Sequence, residues 1–270
     1  MKTKGKKFIS VLLVLLNLSV LFAGTLFTAS AADDVCKMNG VGYATLEEAI
    51  AAADDEKLTT IDFLADTICT EEVSVTGKNI IINTNKKSLT FDKYLSFDDS
   101  VFKINGNIQT AGISITGRES DIKIYGNVVT SGTLSCSKGN ILIKGNIEST
   151  STIGLYVNGW GTIFVDGNVI INPTEPSDSG GIAVRLEGGG YVTVNGEISA
   201  GALYLGGPGG SGKAEKSSKF GYTEYNAGGY LWVRDTSIPT FLVVIWEWFK
   251  NLFDSIFKLF QEPAPSFPWD

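Results

Sequence analysis

The feature of this chain that most constrains its fold is a short motif that recurs five times between residues 102 and 198. Each copy reads apolar, any residue, apolar, any residue, glycine, asparagine, apolar, and only the last copy replaces the asparagine, with Glu197. The glycines lie at intervals of 20, 19, 22 and 29 residues: Gly106, Gly126, Gly145, Gly167 and Gly196. Self-similarity at a period near 20 residues is typical of a repeat protein.

The apolar residues of each copy alternate with period two, which predicts strands with one buried face. A second alternating run follows each copy. About twenty residues per repeat are too few for a strand plus a crossover helix and too many for one hairpin. The spacing fits one coil of a parallel β-helix, with three short strands joined by glycine turns and coils stacked at about 4.8 Å. The sequence therefore predicts an all-β, single-stranded β-helix with a core of Ile, Val and Leu columns.

The Gly-Asn pair of the motif predicts a repeated corner between strands. Glycine permits a positive φ or a close approach of two backbones at low cost. Stacking of the coils would align four asparagines, whose amide side chains can hydrogen-bond along the column: Asn107, Asn127, Asn146 and Asn168. Binding of calcium or sugar is the alternative role for this column, but it lacks carboxylate ligands. We interpret the asparagine ladder as structural and expect no metal or cofactor.

The residues before the first repeat predict a cap for the solenoid. Thr45 to Glu48 form a capping box, which predicts a short helix over residues 46–53. Further alternating segments predict the first strands, at residues 61–64, 73–75 and 79–82. A helix here covers a solenoid end whose open edge would otherwise invite strand pairing.

Three of these segments resemble a known family. YATLEEAI at residues 43–50, TIDFL at 60–64 and GKNIII at 77–82 are similar to the opening of bacterial secreted proteins of the pectate-lyase-like superfamily. The resemblance covers residues 41–233 and implies a right-handed parallel β-helix. It implies no particular function, because the superfamily includes lyases, hydrolases, adhesins and binding proteins.

The N-terminus is typical of an export signal. Four lysines within the first seven residues precede an apolar stretch at residues 8–23, and Ala29-Ser30-Ala31 matches a cleavage site. We predict a signal peptide over residues 1–31 and a secreted or cell-surface protein; a retained membrane anchor is the alternative. Cleavage removes four lysines and no acidic residue, which takes the formal charge from −7 to −11.

The three cysteines would then enter an oxidising compartment. Cys36 and Cys69 both lie near the start of the mature chain and form a candidate disulfide, although a sequence alone fixes no connectivity. Cys136 occupies an inward strand position, where a thiol behaves as a small apolar side chain.

Composition excludes several classes of function. The chain has no histidine, which rules out Ser-His-Asp and Cys-His catalysis and histidine-bound zinc. Its net negative charge argues against nucleic acid as a partner. Residues 207–213 match the spacing of a phosphate-binding loop, but Ala214 replaces the magnesium-binding hydroxyl residue and no amphipathic helix follows. We therefore expect no nucleotide partner.

Outward residues of the third strand suggest a candidate ligand site. Tyr156, Arg185 and Tyr204 are predicted to stack in one exposed column, about 5 Å apart. Aromatic and guanidinium groups in such a column suit a sugar ring, with its apolar faces and hydroxyl groups. Cross-strand packing that covers the sheet is the alternative interpretation.

The composition changes after the β-helix domain, which we place at residues 32–238. Residues 239–262 predict an amphipathic aromatic helix, and the proline-rich tail at 263–270 is expected to be disordered. The helix either caps the solenoid, lies in a membrane interface or binds a protein partner in the cell envelope. The candidate docking residues are Trp246, Trp248, Phe249, Phe253 and Phe257.

These patterns favour an exported, non-catalytic binding or adhesin-type module, with carbohydrate as the expected ligand class. A degenerate or unconventional polysaccharide lyase is one alternative, because the lyases of the resembled superfamily use calcium held by carboxylates and none is predicted beside Arg185 on the adjacent coils. A scaffold that displays the C-terminal docking helix is the other.

Overall fold

The computed structural model describes residues 34–174, 181–206, 214–215, 217–226 and 228–261, with the side chains of 202–206, 214–215 and 259–261 left out. Parallel strands wind through these residues as a β-solenoid with three short strands in each coil. The predicted parallel β-helix is thus confirmed. Its coils place equivalent residues in register along three faces.

The first face holds the strand that precedes each Gly-Asn corner. Neighbouring strands on this face pair in parallel and join successive coils. In chain order they are Thr59–Phe63, Asn79–Asn83, Val101–Asn105, Asp121–Tyr125, Asn140–Ile143, Thr162–Val165, Tyr191–Val194 and Tyr230–Arg234.

The second and third faces follow the corner, and two long strands, Leu89–Asp98 and Ile108–Ile115, run through both. The other strands of the second face are Thr67–Cys69, Val128–Thr130, Ile147–Ser149, Val169–Ile171 and Ile198–Ser199. The other strands of the third face are Val73–Thr76, Leu134–Cys136, Ile153–Asn158, Ile182–Glu187 and Ala202–Gly206.

Antiparallel strands extend both ends of the first face. Cys36–Met38 and Val41–Tyr43 form a hairpin on the first coil. Tyr222–Asn226 and Ala214–Glu215 extend the last coil. The predicted N-terminal helix, α1, spans Leu46–Ala52, and the Thr45 hydroxyl accepts a hydrogen bond from the Glu48 N–H at 3.2 Å.

The solenoid interior contains the predicted apolar columns. Phe102, Ile122, Ile141, Ile163 and Val192 stack on the first face and are at most 1% exposed. Because each residue lies directly under its equivalent in the next coil, apolar burial repeats along the molecule and stabilises each coil on its neighbour.

The asparagine ladder is present at the predicted corner. The side-chain oxygens of Asn107, Asn127 and Asn146 accept hydrogen bonds from the backbone N–H groups of the next asparagine in the column, at 2.8–2.9 Å. Asn168 continues the ladder by accepting from the Glu197 N–H at 2.8 Å. The ladder therefore joins five coils through side-chain-to-backbone bonds.

The structure shows Cys36 and Cys69 unbonded to each other, and their pairing in an oxidising compartment stays a prediction. Cys69 is a buried free thiol, and Cys36 Sγ donates instead to the carbonyl oxygen of Thr45 at 3.7 Å. Burial raises the pKa of Cys69 to about 12, with a smaller contribution from the charge of Glu47. Burial likewise raises the pKa of Cys136, which lies inward as predicted, to about 11. Both thiols behave as apolar core groups.

The predicted C-terminal helix, α2, spans Thr240–Gln261. Across the described part of the chain, no helix combines the length and apolar character needed to cross a bilayer. The predicted signal peptide, the predicted tail and the loop at residues 207–213 all lie outside the described residues.

Candidate functional site

A column of outward-facing polar residues crosses the third face. Strand register places Ser96, Ser114, Ser135, Tyr156 and Arg185 beside one another on five successive coils. The predicted neighbours Tyr156 and Arg185 are therefore together. At a strand spacing of about 4.8 Å, four steps give a column about 19 Å long.

This column forms the floor of a groove of about 600 Å³, hereafter the third-face groove. Tyr94 lines the groove beside the serines, and Tyr156 with Arg185 lies at the end of the column farthest from Ser96. Glu72 and Lys93 also line it, and Ser96 donates a hydrogen bond to the Glu72 carboxylate at 2.9 Å. Two tyrosines thus adjoin a row of serine hydroxyls.

Glycines on the neighbouring coils make room for the Tyr94 side chain. A Cβ on Gly112 would lie 2.3 Å from Tyr94 Cε1, and a Cβ on Gly132 would lie 2.7 Å from the Tyr94 hydroxyl. No side chain fits at either position without displacing the ring. Tyr94 therefore lies across the next two coils while 42% of it stays exposed.

Tyr156 and Arg185 are held by one carboxylate. The Tyr156 hydroxyl donates to Glu187 Oε2 at 2.7 Å, and Arg185 Nε donates to Glu187 Oε1 at 2.8 Å. The guanidinium carbon of Arg185 lies 5.6 Å from the centre of the Tyr156 ring. Because three side chains share these bonds, the ring and the guanidinium are oriented before any ligand arrives.

The electrostatics of this cluster are consistent with its hydrogen bonds. Hydrogen bonds hold the pKa of Glu187 below its ordinary value; the bond from the Tyr156 hydroxyl contributes most, and the bond from Arg185 contributes less. The hydrogen bond to Glu187, followed by burial, raises the pKa of Tyr156. At neutral pH the carboxylate is therefore charged and the phenol is protonated, which suits Tyr156 to hydrogen bonding rather than to proton abstraction.

The predicted alignment of Tyr204 with Arg185 is wrong. Leu205 pairs with Arg185 in the strand register, and Tyr204 pairs with Val184. The alternating sequence pattern alone does not determine this register. Either Leu203 or Tyr204 can pair with Val184, and both would bring an apolar ring or chain beside it. A shift of one residue exchanges the two faces of a strand. The side chain of Tyr204 lies outside the described residues.

Two residues of this region escape prediction from the sequence. Tyr94 precedes the first full motif, and only its pairing with Gly112 on the next coil indicates that it enters the groove. Glu187 lies two residues after Arg185 on the same strand, an i to i+2 spacing that places both side chains on one face. That spacing could have identified it.

Other surfaces of the described chain fit a ligand less well. A depression of about 670 Å³ lies over the corner near Asn83, Lys86 and Gln109, and no aromatic residue lines it. On the first face, Tyr191 and Tyr230 lie parallel to Trp232, but Trp232 is 8% exposed and Lys219 Nζ lies 3.8 Å from the centre of its ring. The three rings therefore stack on one another, and Lys219 covers the ring of Trp232.

Among the described residues, no group of three Cys, Asp or Glu side chains is arranged to hold a metal ion. Protein-family models, curated proteins and solved structures return no match to this chain. Of what the resemblance to the pectate-lyase-like superfamily implies, the structure confirms the parallel β-solenoid fold alone.

Proposed function

We propose that this protein is an extracellular binding module that holds a carbohydrate chain in the third-face groove. The observation that carries this proposal is the preorganised Tyr156–Arg185–Glu187 cluster at one end of a groove lined by hydroxyl groups. Aromatic rings cover the apolar faces of a sugar, while hydroxyl, guanidinium and carboxylate groups hydrogen-bond to its periphery.

The length of the groove favours an oligosaccharide over a single sugar. The column from Ser96 to Arg185 spans about 19 Å, and equivalent positions repeat at about 4.8 Å. A linear chain of sugars lying along the solenoid axis would contact a hydroxyl or an aromatic ring at each coil. Affinity is therefore expected to increase with the number of sugar units.

The charges of the groove favour a neutral saccharide. Glu72 and Glu187 balance Lys93 and Arg185, and Glu187 occupies the guanidinium that an acidic sugar would need. The formal charge of −7 adds a long-range repulsion towards polyuronates. Neutral glycans of a cell wall or matrix are the expected ligand class.

A glycan array probed with the full chain tests the proposal. We expect retention of neutral linear oligosaccharides, with the signal reduced about tenfold in Tyr156→Ala, since a ring contact and an oriented hydroxyl are lost together. Tyr125→Ala is the matched control, because Tyr125 is an exposed tyrosine of the first face, outside the groove. If the protein binds no neutral glycan on the array, or if wild type and Tyr156→Ala bind equally, the groove is excluded as a sugar site.

One observation favours a second candidate, a polysaccharide lyase. Glu187 places a carboxylate beside Arg185 and Tyr156, and such groups can move protons. A lyase would shorten a bound polymer and release unsaturated ends. If Tyr156→Phe loses that cleavage but still binds the polymer, the groove is a catalytic site and the protein is a lyase rather than a binding module.

A further inference from the structure

Helix α2 presents its apolar residues to solvent. Apolar side chains from Phe241 to Phe257 are 38% to 62% exposed, and Val243 is the buried exception at 7%. Contiguous apolar surface of this extent is rare on a soluble monomer and marks an interaction site.

The polar residues of α2 occupy one narrow stripe. At 3.6 residues per turn, Glu247, Lys250, Asn251, Asp254 and Lys258 fall within an arc of about 100°. The remaining arc, about 260° wide, is almost wholly apolar from Phe241 to Phe257. The two acidic and two basic residues of the stripe cancel in charge.

The two tryptophans mark the boundaries between these arcs. Trp246 and Trp248 each lie about 100° from Glu247, on opposite sides of the polar stripe. They are 50% and 60% exposed. Tryptophan is enriched at such boundaries in membrane-associated helices, because its ring is apolar while its N–H can reach water or a lipid headgroup.

The solenoid contacts the polar edge of α2 and leaves its apolar arc uncovered. A Cβ on Gly221 would lie 2.4 Å from Val243 Cγ2, so Val243 packs on that glycine. The rings of Phe220 and Trp246 lie 5.2 Å apart. Burial lowers the pKa of Lys219, on which the charges of Glu247 and Lys250 also act. The helix therefore does not cap the solenoid with its apolar face.

We propose that α2 docks the protein on a lipid surface, lying in the plane of the interface with its polar stripe turned to the solenoid. A single protein groove covers a stripe of roughly 100° on an amphipathic helix, whereas a bilayer surface can cover the far wider apolar arc of α2. The balanced charges make the docking independent of anionic lipid. Trp246 and Trp248 lie at headgroup level, and Ile245, Phe249 and Ile256 point into the acyl region.

Flotation of the mature chain, residues 32–270, with uncharged phosphatidylcholine vesicles tests this proposal. We expect wild type to float and Phe249→Glu/Ile256→Glu to lower the bound fraction about tenfold or more, because two charges must then enter the acyl region. Trp160→Glu is the control, since Trp160 is 73% exposed on the solenoid, and it should bind like wild type. All three proteins lack residues 1–31, so the apolar stretch at residues 8–23 cannot itself hold them on the vesicles.

Two further measurements keep the result decisive. Brominated phosphatidylcholine should quench tryptophan emission in wild type and in Trp160→Glu, and quench it less in Phe249→Glu/Ile256→Glu. Equal flotation of all three proteins, or flotation only with anionic vesicles, would overturn lipid docking. A lipid-free dimer in sedimentation velocity that Phe249→Glu/Ile256→Glu dissociates would also overturn it, in favour of a second copy as the partner.

Discussion

The Gly-Asn corner is where single residues decide how closely the coils stack. A Cβ on Gly126, Gly145 or Gly167 would lie 2.2–2.4 Å from the carbonyl oxygen of the equivalent glycine one coil earlier. Close approach, rather than a positive φ, therefore requires glycine at these three positions. The following asparagine then supplies an acceptor to the N–H of the next coil. One dipeptide thus fixes both the spacing and the hydrogen bonding of the corner.

Asn146→Ala is expected to lower the free energy of unfolding by about 1 kcal/mol, the net contribution of one such hydrogen bond. The change removes the acceptor that the Asn168 N–H uses at 2.8 Å. Asn140→Ala is the control, since Asn140 is exposed and its side chain makes no hydrogen bond within the described residues. Urea unfolding monitored by circular dichroism measures both variants. Equal unfolding midpoints for Asn146→Ala and Asn140→Ala would show that the ladder does not stabilise the fold.

The Tyr156–Arg185–Glu187 cluster predicts a pH dependence for sugar binding. The folded pKa of Glu187 lies below its ordinary value of 4.5, so the interactions of its carboxylate persist above pH 4.5 and are lost as the pH falls through the folded value. Glycan affinity should therefore hold from neutral pH down to that range and then fall. Glu187→Gln should weaken binding at neutral pH and abolish the acid step, whereas Glu48→Gln, far from the groove, should change neither. An acid step that survives in Glu187→Gln would assign it to another group.

At the scale of elements, the two helices have opposite relations to the solenoid. Helix α1 buries Leu46, Ala49 and Ile50 against the first coil, whereas α2 buries only Val243 among its described side chains. We therefore expect α1 to contribute to the stability of the solenoid and α2 to add little to it.

Truncation after Pro239 tests this difference. We expect the truncated chain to lose at most about 2 kcal/mol of unfolding free energy, the value of burying one valine. Leu46→Ala in α1 should cost about 2–5 kcal/mol, because it leaves a cavity in the core. Thermal and urea unfolding compare the two proteins, and a truncated chain that fails to fold cooperatively would make α2 a structural cap.

Most strands and both helices follow from sequence pattern, because period-two alternation and the capping box act locally. The helix predicted over residues 46–53 begins and ends within one residue of α1. The register of the last coil could not be predicted from the sequence. Apolar residues occupy adjacent as well as alternate positions of Ala202–Gly206, so the pattern does not show which of them point inward. The groove was predicted only in part, since the position of Tyr94 depends on glycines of other coils.

At the scale of the whole molecule, the described part of the chain combines a repeating apolar core with a polar groove on the third face and an exposed apolar helix. The core repeats from coil to coil, so stability comes mainly from the inward residues and from the contacts between neighbouring coils. The outward residues are the part of the chain on which a binding function can be built. The formal charge of −7 disfavours long-range attraction of acidic ligands, and the absence of histidine excludes chemistry that needs an imidazole.

Isothermal titration of the full chain with a length series of the neutral oligosaccharide selected on the array tests the groove most directly. Affinity should increase with each added sugar until the ligand spans the column of about 19 Å from Ser96 to Arg185, and it should fall about tenfold in Tyr156→Ala but not in Tyr125→Ala. Affinity that is independent of ligand length, or unchanged in Tyr156→Ala, would contradict carbohydrate binding along the third face.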